Sequence, residues 1–120
     1  THDKDLRRIA GIPLVISEST DSELSTADIA SQMKPPSPKE SLATLEEFLK
    51  AAQNKIRLSI ELKYYGFKPQ LAESVLALID KYPSTPAHEV ISLEYRALEQ
   101  VAKLRPSMRR GYLVSASVGE

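Results

Sequence analysis

Ile56-Arg57-Leu58-Ser59-Ile60-Glu61-Leu62-Lys63 alternates apolar and polar residues without interruption. A period of two predicts a β-strand with two unlike faces. One carries Ile56, Leu58, Ile60 and Leu62; the other carries Arg57, Ser59, Glu61 and Lys63. Apolar residues at helical spacing stand on both sides, over residues 44–54 and 70–82. Strands that alternate with helices predict parallel βα units. Parallel strands are usually covered on both faces and read apolar throughout, yet one face here is polar and ends in a carboxylate and an ammonium. A closed barrel reconciles these features, because helices cover the outside while the polar face lines a mouth. In such barrels the reactive side chains sit at the C-terminal strand ends, where Glu61 and Lys63 fall. An edge strand whose polar face meets water is the plain alternative, and spacing alone leaves both open.

A chain of 120 residues makes one small domain or a piece of a larger one. It is 42% hydrophobic and 27% charged, a globular rather than a disordered composition. Its 16 Lys and Arg balance 16 Asp and Glu, so no basic excess points to nucleic acid or to an anionic membrane surface. No cysteine is present, which excludes disulfides and thiolate metal sites. No apolar run is long enough to span a bilayer, and no signal-peptide pattern opens the chain. Aromatic residues are few, so the core must be built from Leu, Ile, Val and Ala.

Outward from the key strand, Thr44-Leu45-Glu46-Glu47 has the form of a capping box, with Leu45, Phe48, Leu49 and Ala52 as the buried stripe and Asn54 as the stop. After Lys63, Gly66 allows a turn and Pro69 suits a helix start. Tyr64, Tyr65 and Phe67 either wall a pocket or pack the loop onto the next helix. That helix is expected over Gln70–Tyr82, stopped by Pro83. Residues 84–87 read as a loop, with His88 a loop residue lacking a partner nearby. Glu89–Leu93 reads as a second strand, with Ser92 facing the mouth or capping the segment after it. A helix over Glu94–Arg105 and a third strand over Gly111–Ser115 complete the pattern.

Toward the N-terminus, residues 1–8 read as a charged loop. There His2 is either a solvated terminal imidazole or an acid–base or phosphate-contacting group. Ile12–Ile16 reads as a short extended segment, demoted by Pro13. Thr20-Asp21-Ser22-Glu23 starts a short helix whose thin face would be Leu24, Ile29 and Met33. Three prolines between Lys34 and Lys39 make a surface loop, or a proline-recognition ligand.

Several of these segments resemble, in order, those of the glycerophosphodiester phosphodiesterases, which cleave glycerophosphodiesters to glycerol 3-phosphate and an alcohol. His2-Asp3-Lys4-Asp5-Leu6-Arg7-Arg8 resembles the family's His-Asp-x-x-Leu-x-Arg segment, and Asp21-Ser22-Glu23-Leu24 the acidic turn after it. Residues 43–49 resemble the Pro-Thr-Leu-Glu-Glu-x-Leu helix start, with Ala43 in place of proline. Ile60-Glu61-Leu62-Lys63 resembles the Ile-Glu-Ile-Lys strand end. Ser92-Leu93 with Leu98 and Val101, then Pro106 and Gly111-Tyr112-Leu113, resemble the following strands. The last of these forms look most like bacterial members that carry a membrane region.

The resemblance implies an α/β fold, a partial TIM-type (β/α) barrel of about three parallel strands with crossover helices. Residues 1–120 are then expected to be an internal fragment of that barrel domain. It implies a divalent metal, calcium or magnesium, with Glu61 as a ligand, Lys63 as a phosphate contact and His2 as the second catalytic histidine. The family's His-Arg-Gly and Glu-x-Asp segments are absent from this sequence. The chain alone is therefore expected to be inactive, to hold metal weakly, and to self-associate through open strand edges. Its implied partner is a glycerophosphodiester substrate, with no nucleic acid, and membrane contact only through other regions of a parent protein. The rival reading is a non-catalytic α/β interaction module in which Glu61 and Lys63 are a solvated pair.

Overall fold

In the computed structural model, which describes residues 1–115, the chain divides into two units, Thr1–Thr44 and Leu45 onward. The first is built around Leu6, which is fully buried with Ala10 and Ala27 among Leu14, Leu24 and Leu42. Asp5 and Val15 form an isolated antiparallel bridge, and the Leu6 N–H donates to the Leu14 carbonyl at 3.0 Å. The expected extended segment is thus real around Val15. The expected loop over residues 1–8 is corrected at its end, because Arg7 and Arg8 open a helix, α1 (Arg7–Ala10). Gly11 ends it at φ 69°, a left-handed conformation that suits glycine, with its N–H on the Arg7 carbonyl.

Helix α2 (Asp21–Ser25) starts where Thr20 and Glu23 exchange hydrogen bonds in a capping box. It stops too early to use Ile29 and Met33, and Met33 is 56% exposed. Asp28 explains the early stop. Its carboxylate accepts from the Ala30 and Glu40 amides and ties off a loop instead. The proline-bearing residues 34–39 are exposed and irregular, as expected.

The second unit runs α3 (Leu45–Ala52), β1 (Ser59–Glu61), α4 (Gln70–Lys81), β2 (Glu89–Ser92), α5 (Tyr95–Leu104) and β3 (Arg109–Tyr112). The three strands are parallel, in the order β1-β2-β3. Ser59 lies opposite Glu89 and Glu89 opposite Arg109, so side chains in register share a face. One face buries Leu62, Val90 and Ser92. Helix α4 presents Ala72, Val75, Leu76 and Ile79 to that core, and α5 presents Ala97 and Val101. A fully buried Leu or Val contributes about 1.5–3 kcal/mol, so this layer dominates the unit's stability. The opposite face carries Ser59, Glu61, Glu89 and Arg109. It also carries Ile91 and Gly111, where an added Cβ would come within 2.9 Å of the Ile91 Cγ2. Among the described residues no helix is long and apolar enough to cross a membrane.

The strands differ from expectation at their ends. β1 is shorter than residues 56–63, although its pairing runs on through the Leu58 carbonyl and the Leu62 amide. Ile56 belongs instead to the turn after α3, with its N–H on the Ala52 carbonyl, and is 58% exposed. Asn54 makes that turn at φ 58°. β3 begins at Arg109 rather than Gly111, because its register with β2 starts at Glu89. The Leu113 amide bonds to the Ser92 carbonyl, whereas Val114 is 72% exposed.

Glu46 on α3 accepts from the Lys81 ammonium at 2.8 Å and from the Tyr82 hydroxyl at the end of α4. Lys81 first, then Tyr82, pull the Glu46 pKa from 4.5 down to about 2. A depressed carboxylate stabilises the fold fully above its unfolded value and loses that contribution as pH falls through the folded one. Glu46→Gln is expected to lower the urea midpoint at pH 6, with the difference from the parent closing between pH 4.5 and 2. A second expectation concerns Ser92, which is fully buried; its hydroxyl donates to the Leu62 carbonyl at 2.6 Å and accepts from the Glu94 amide at 3.0 Å. Ser92→Ala should cost about 1–3 kcal/mol in urea unfolding, because it strands a buried carbonyl and amide.

Candidate functional site

The C-terminal ends of β1 and β2 frame a depression of about 180 Å³ lined by Glu61, Leu62, Lys63, Tyr64, Leu93 and Glu94. Burial of Leu62 at 2% exposure forces its neighbours Glu61 and Lys63 to the other face. Two of the three residues singled out in the sequence therefore line one concavity. Glu61 is exposed and Lys63 half-buried.

Tyr64, expected either to wall a pocket or to pack its loop, and Glu94, to which sequence reading gave no role, share the depression. The Tyr64 ring packs on the main core and lies 5.2 Å from Phe67, so the aromatic loop both docks on the unit and walls the depression. The Tyr64 hydroxyl is buried without a hydrogen-bond partner among the described residues. Burial, and then the charge of Glu94, push its pKa up. Glu94 is held in place: its carboxylate accepts from Arg96 at 2.8 Å and 3.1 Å and from the Arg96 amide at 3.3 Å, capping α5. Those bonds to Arg96 keep its pKa low. Arg96 in turn lies 4.6 Å over the Phe67 ring.

Ser92, expected either to face the mouth or to cap the segment after it, does the second: on the buried face its hydroxyl accepts from the Glu94 amide at the start of α5. His88 is a loop residue, as expected, but it has a partner: its Nδ1 accepts from the Leu58 amide at 2.9 Å. Those two residues are thirty positions apart, which local reading cannot bridge.

His2 belongs to the first unit. Its side chain is 80% exposed and its Nδ1 lies 2.9 Å from the Asp3 carboxylate. Arg8 grips the same carboxylate at 2.8 Å and 3.2 Å. Arg8 first, then His2, hold the Asp3 carboxyl well below the usual range. The physical content of the His-Asp-x-x-Leu-x-Arg segment is thereby visible. Leu6 anchors it in the core, Arg8 fixes Asp3, and Asp3 fixes the imidazole. A carboxylate only accepts, so Nδ1 donates to Asp3.

A hard divalent cation takes six or more oxygen ligands. Among the described residues no group of three or more His, Cys, Asp or Glu side chains converges to hold one. Beside Glu61 the depression offers the carboxylate of Glu94, which is engaged by Arg96. The described residues do not by themselves fit a calcium or magnesium site.

Three parallel strands joined through helices, with polar side chains at their C-terminal ends, are part of a (β/α) barrel. The chain belongs to the glycerophosphoryl diester phosphodiesterase family, whose pattern matches residues 1–117. A glycerophosphodiester phosphodiesterase from Parabacteroides distasonis is similar at 27% identity and a TM-score of 0.72, over 93% of this chain and 44% of that one. A candidate glycerophosphodiester phosphodiesterase from Galdieria sulphuraria has the same fold at 20% identity and a TM-score of 0.74, over 95% of this chain and 44% of that one. The chain thus spans less than half the length of these solved relatives. Among curated proteins nothing matches.

The unpartnered Tyr64 hydroxyl yields a direct expectation. Tyr64→Phe should unfold within about 0.5 kcal/mol of the parent, or be more stable, because no hydrogen bond is lost. A loss above about 1 kcal/mol in urea unfolding would reveal a partner.

Proposed function

We propose that this chain carries part of the machinery for hydrolysing glycerophosphodiesters to glycerol 3-phosphate and an alcohol. The observation that carries the reading is the pairing of Glu61 and Lys63 on one concavity at the strand ends, in a chain of this family. In this reading the Lys63 ammonium meets the negative charge of a phosphodiester, which strengthens on the oxygens as the reaction proceeds. His2, oriented by Asp3, is suited to take a proton from the attacking water or return one to the leaving alkoxide. Glu61 is the carboxylate this reading assigns to a divalent cation, one oxygen ligand of a set the described residues do not complete. A single such group is a weak hold, so calcium or magnesium should bind this chain no tighter than about 1 mM by calorimetry.

Reactive groups that act as a unit lose far more than their share of rate when separated. The chain alone is therefore expected to release no glycerol 3-phosphate from glycerophosphocholine above background. It should still bind glycerol 3-phosphate weakly and saturably, with signals of residues 61–64 moving in NMR, and Lys63→Met should abolish that binding. Turnover by the purified chain that disappears in Glu61→Ala would contradict the incomplete-machinery reading. Binding unaffected by Lys63→Met would remove the phosphate role.

A second expectation rests on the outer strands. Among the described residues β1 and β3 each pair on one side only, and Leu93, Tyr95, Tyr112 and Val114 are more than half exposed. Open edges and exposed apolar side chains invite pairing with another chain. Light scattering over a dilution series should show a mass that rises with concentration; a monomer throughout would oppose it.

A further inference from the structure

Two loops meet at the start of the sheet, residues 53–58 leading into β1 and residues 83–88 leading into β2. Side chains tie them together. Gln53 donates to the Pro83 carbonyl at 2.8 Å, and the Arg57 Nε donates to the Ala87 carbonyl at 3.0 Å. The Asn54 amide donates to the Ser84 hydroxyl at 2.8 Å, and its side-chain oxygen accepts from the Thr85 amide at 2.9 Å. The last tie is His88, whose Nδ1 accepts from the Leu58 amide at 2.9 Å. The Leu58 carbonyl accepts in turn from the Glu89 amide at 3.0 Å, where backbone pairing takes over.

Of these side chains only the imidazole changes charge between pH 5 and 8. It is 3% exposed. The Leu58 N–H occupies Nδ1, so the neutral ring carries its proton on Nε2, which is buried without a partner among the described residues. A second proton has to go to Nδ1, where it meets the Leu58 N–H. Two donors then face each other, and the tie breaks. The resulting cation is also buried without an acceptor, a costly state.

The surrounding charges do not relieve that cost. Asp80, at the end of α4, is engaged by Arg105, whose Nε lies 2.9 Å from Oδ2. Glu89 and Arg109 pair at 3.9 Å, and strand alternation puts them on the other face of the sheet from His88. Arg57 brings a further positive charge to the Ala87 carbonyl. The C-terminal ends of α4 and α5 favour a cation, but Lys81 already stands in the last turn of α4 and Arg105 donates to the Leu104 carbonyl at the end of α5.

We propose that His88 is a pH-sensitive latch at the start of the sheet: the neutral imidazole holds the Leu58 amide, and its protonation frees residues 53–58 from residues 83–88. Burial holds the folded-state pKa of His88 below its ordinary value of 6.5. The opened form therefore takes the proton more readily. The latch holds fully above pH 6.5, and its hold is lost as pH falls from there through the folded value. At the other end of β1 the Leu62 amide stays on the Ile91 carbonyl, so the strand ends that carry Glu61 and Lys63 remain paired.

The test is amide hydrogen exchange by NMR between pH 7.5 and 5.5, with each rate corrected for its intrinsic pH dependence. Protection of the Leu58 and Glu89 amides should fall about three- to tenfold over that range, tenfold being the ceiling for one proton over the unit below 6.5. Protection of the Leu62 amide should stay constant. His88→Asn places a non-titrating oxygen near the position of Nδ1, so the pH dependence at Leu58 should vanish whatever the variant's overall stability. The proposal is overturned if Leu58 protection falls no more than that of Leu62, or if the same fall persists in His88→Asn.

Discussion

Successive residues of a strand point to opposite faces, and that constraint governs the second unit. Leu62 and Val90 cannot be buried under α4 and α5 without turning Glu61 and Ile91 the other way. The apolar core and the polar concavity are therefore one structural decision. A shift of register by one residue would bury the Glu61 carboxylate and expose Leu62, at a cost the small core could not offset. Stability and chemistry are coupled here through geometry rather than through any shared hydrogen bond.

The tie made by Ser92 extends that coupling along the sheet. Its hydroxyl spans β1 and the turn into α5, which fixes where the Glu94 carboxylate sits. Arg96 then occupies Glu94, and Phe67 lies under Arg96. The walls of the depression are held by interactions that begin in the core. The first unit uses the same logic on a smaller scale, with Leu6 buried so that Arg8, Asp3 and His2 form a surface chain.

Much of this was legible in the sequence, because it is set by local periodicity and by punctuation. The alternation at Leu58–Leu62, the helical spacing over residues 70–82 and Pro83 as its stop are local signals of the order of strands and helices, although the buried stripe of α4 is Ala72, Val75, Leu76 and Ile79 rather than the expected Leu71, Val75, Leu78, Ile79 and Tyr82. The helix start at Thr20 was likewise readable from local chemistry, and the structure makes it a capping box. What escaped were features decided by distant partners. Ile56 continues the alternation in sequence, but Asn54 adopts a left-handed turn tied to Ser84 and Thr85, which holds Ile56 out of the strand. Arg109 and Arg110 carry no strand signal, and only pairing with β2 makes them one. His88 and its bond to Leu58 belong to the same class. The roles proposed for His2, Glu61 and Lys63 come from family resemblance, since spacing alone gives a lone histidine or an alternating Glu and Lys no specific chemistry.

The central claim is that β1 and β2 separate a buried apolar face from an accessible polar one that carries Glu61. Because the sequence contains no cysteine, single substitutions report each face cleanly through thiol labelling under native conditions. Ser59→Cys and Glu61→Cys should react nearly as fast as a free thiol. Val90→Cys, at a position with no exposed surface, should react only through opening of the fold, about a hundredfold slower or more. Equal labelling rates at positions 61 and 90 would contradict the two-faced sheet, and with it the placement of Glu61 and Lys63 at one site.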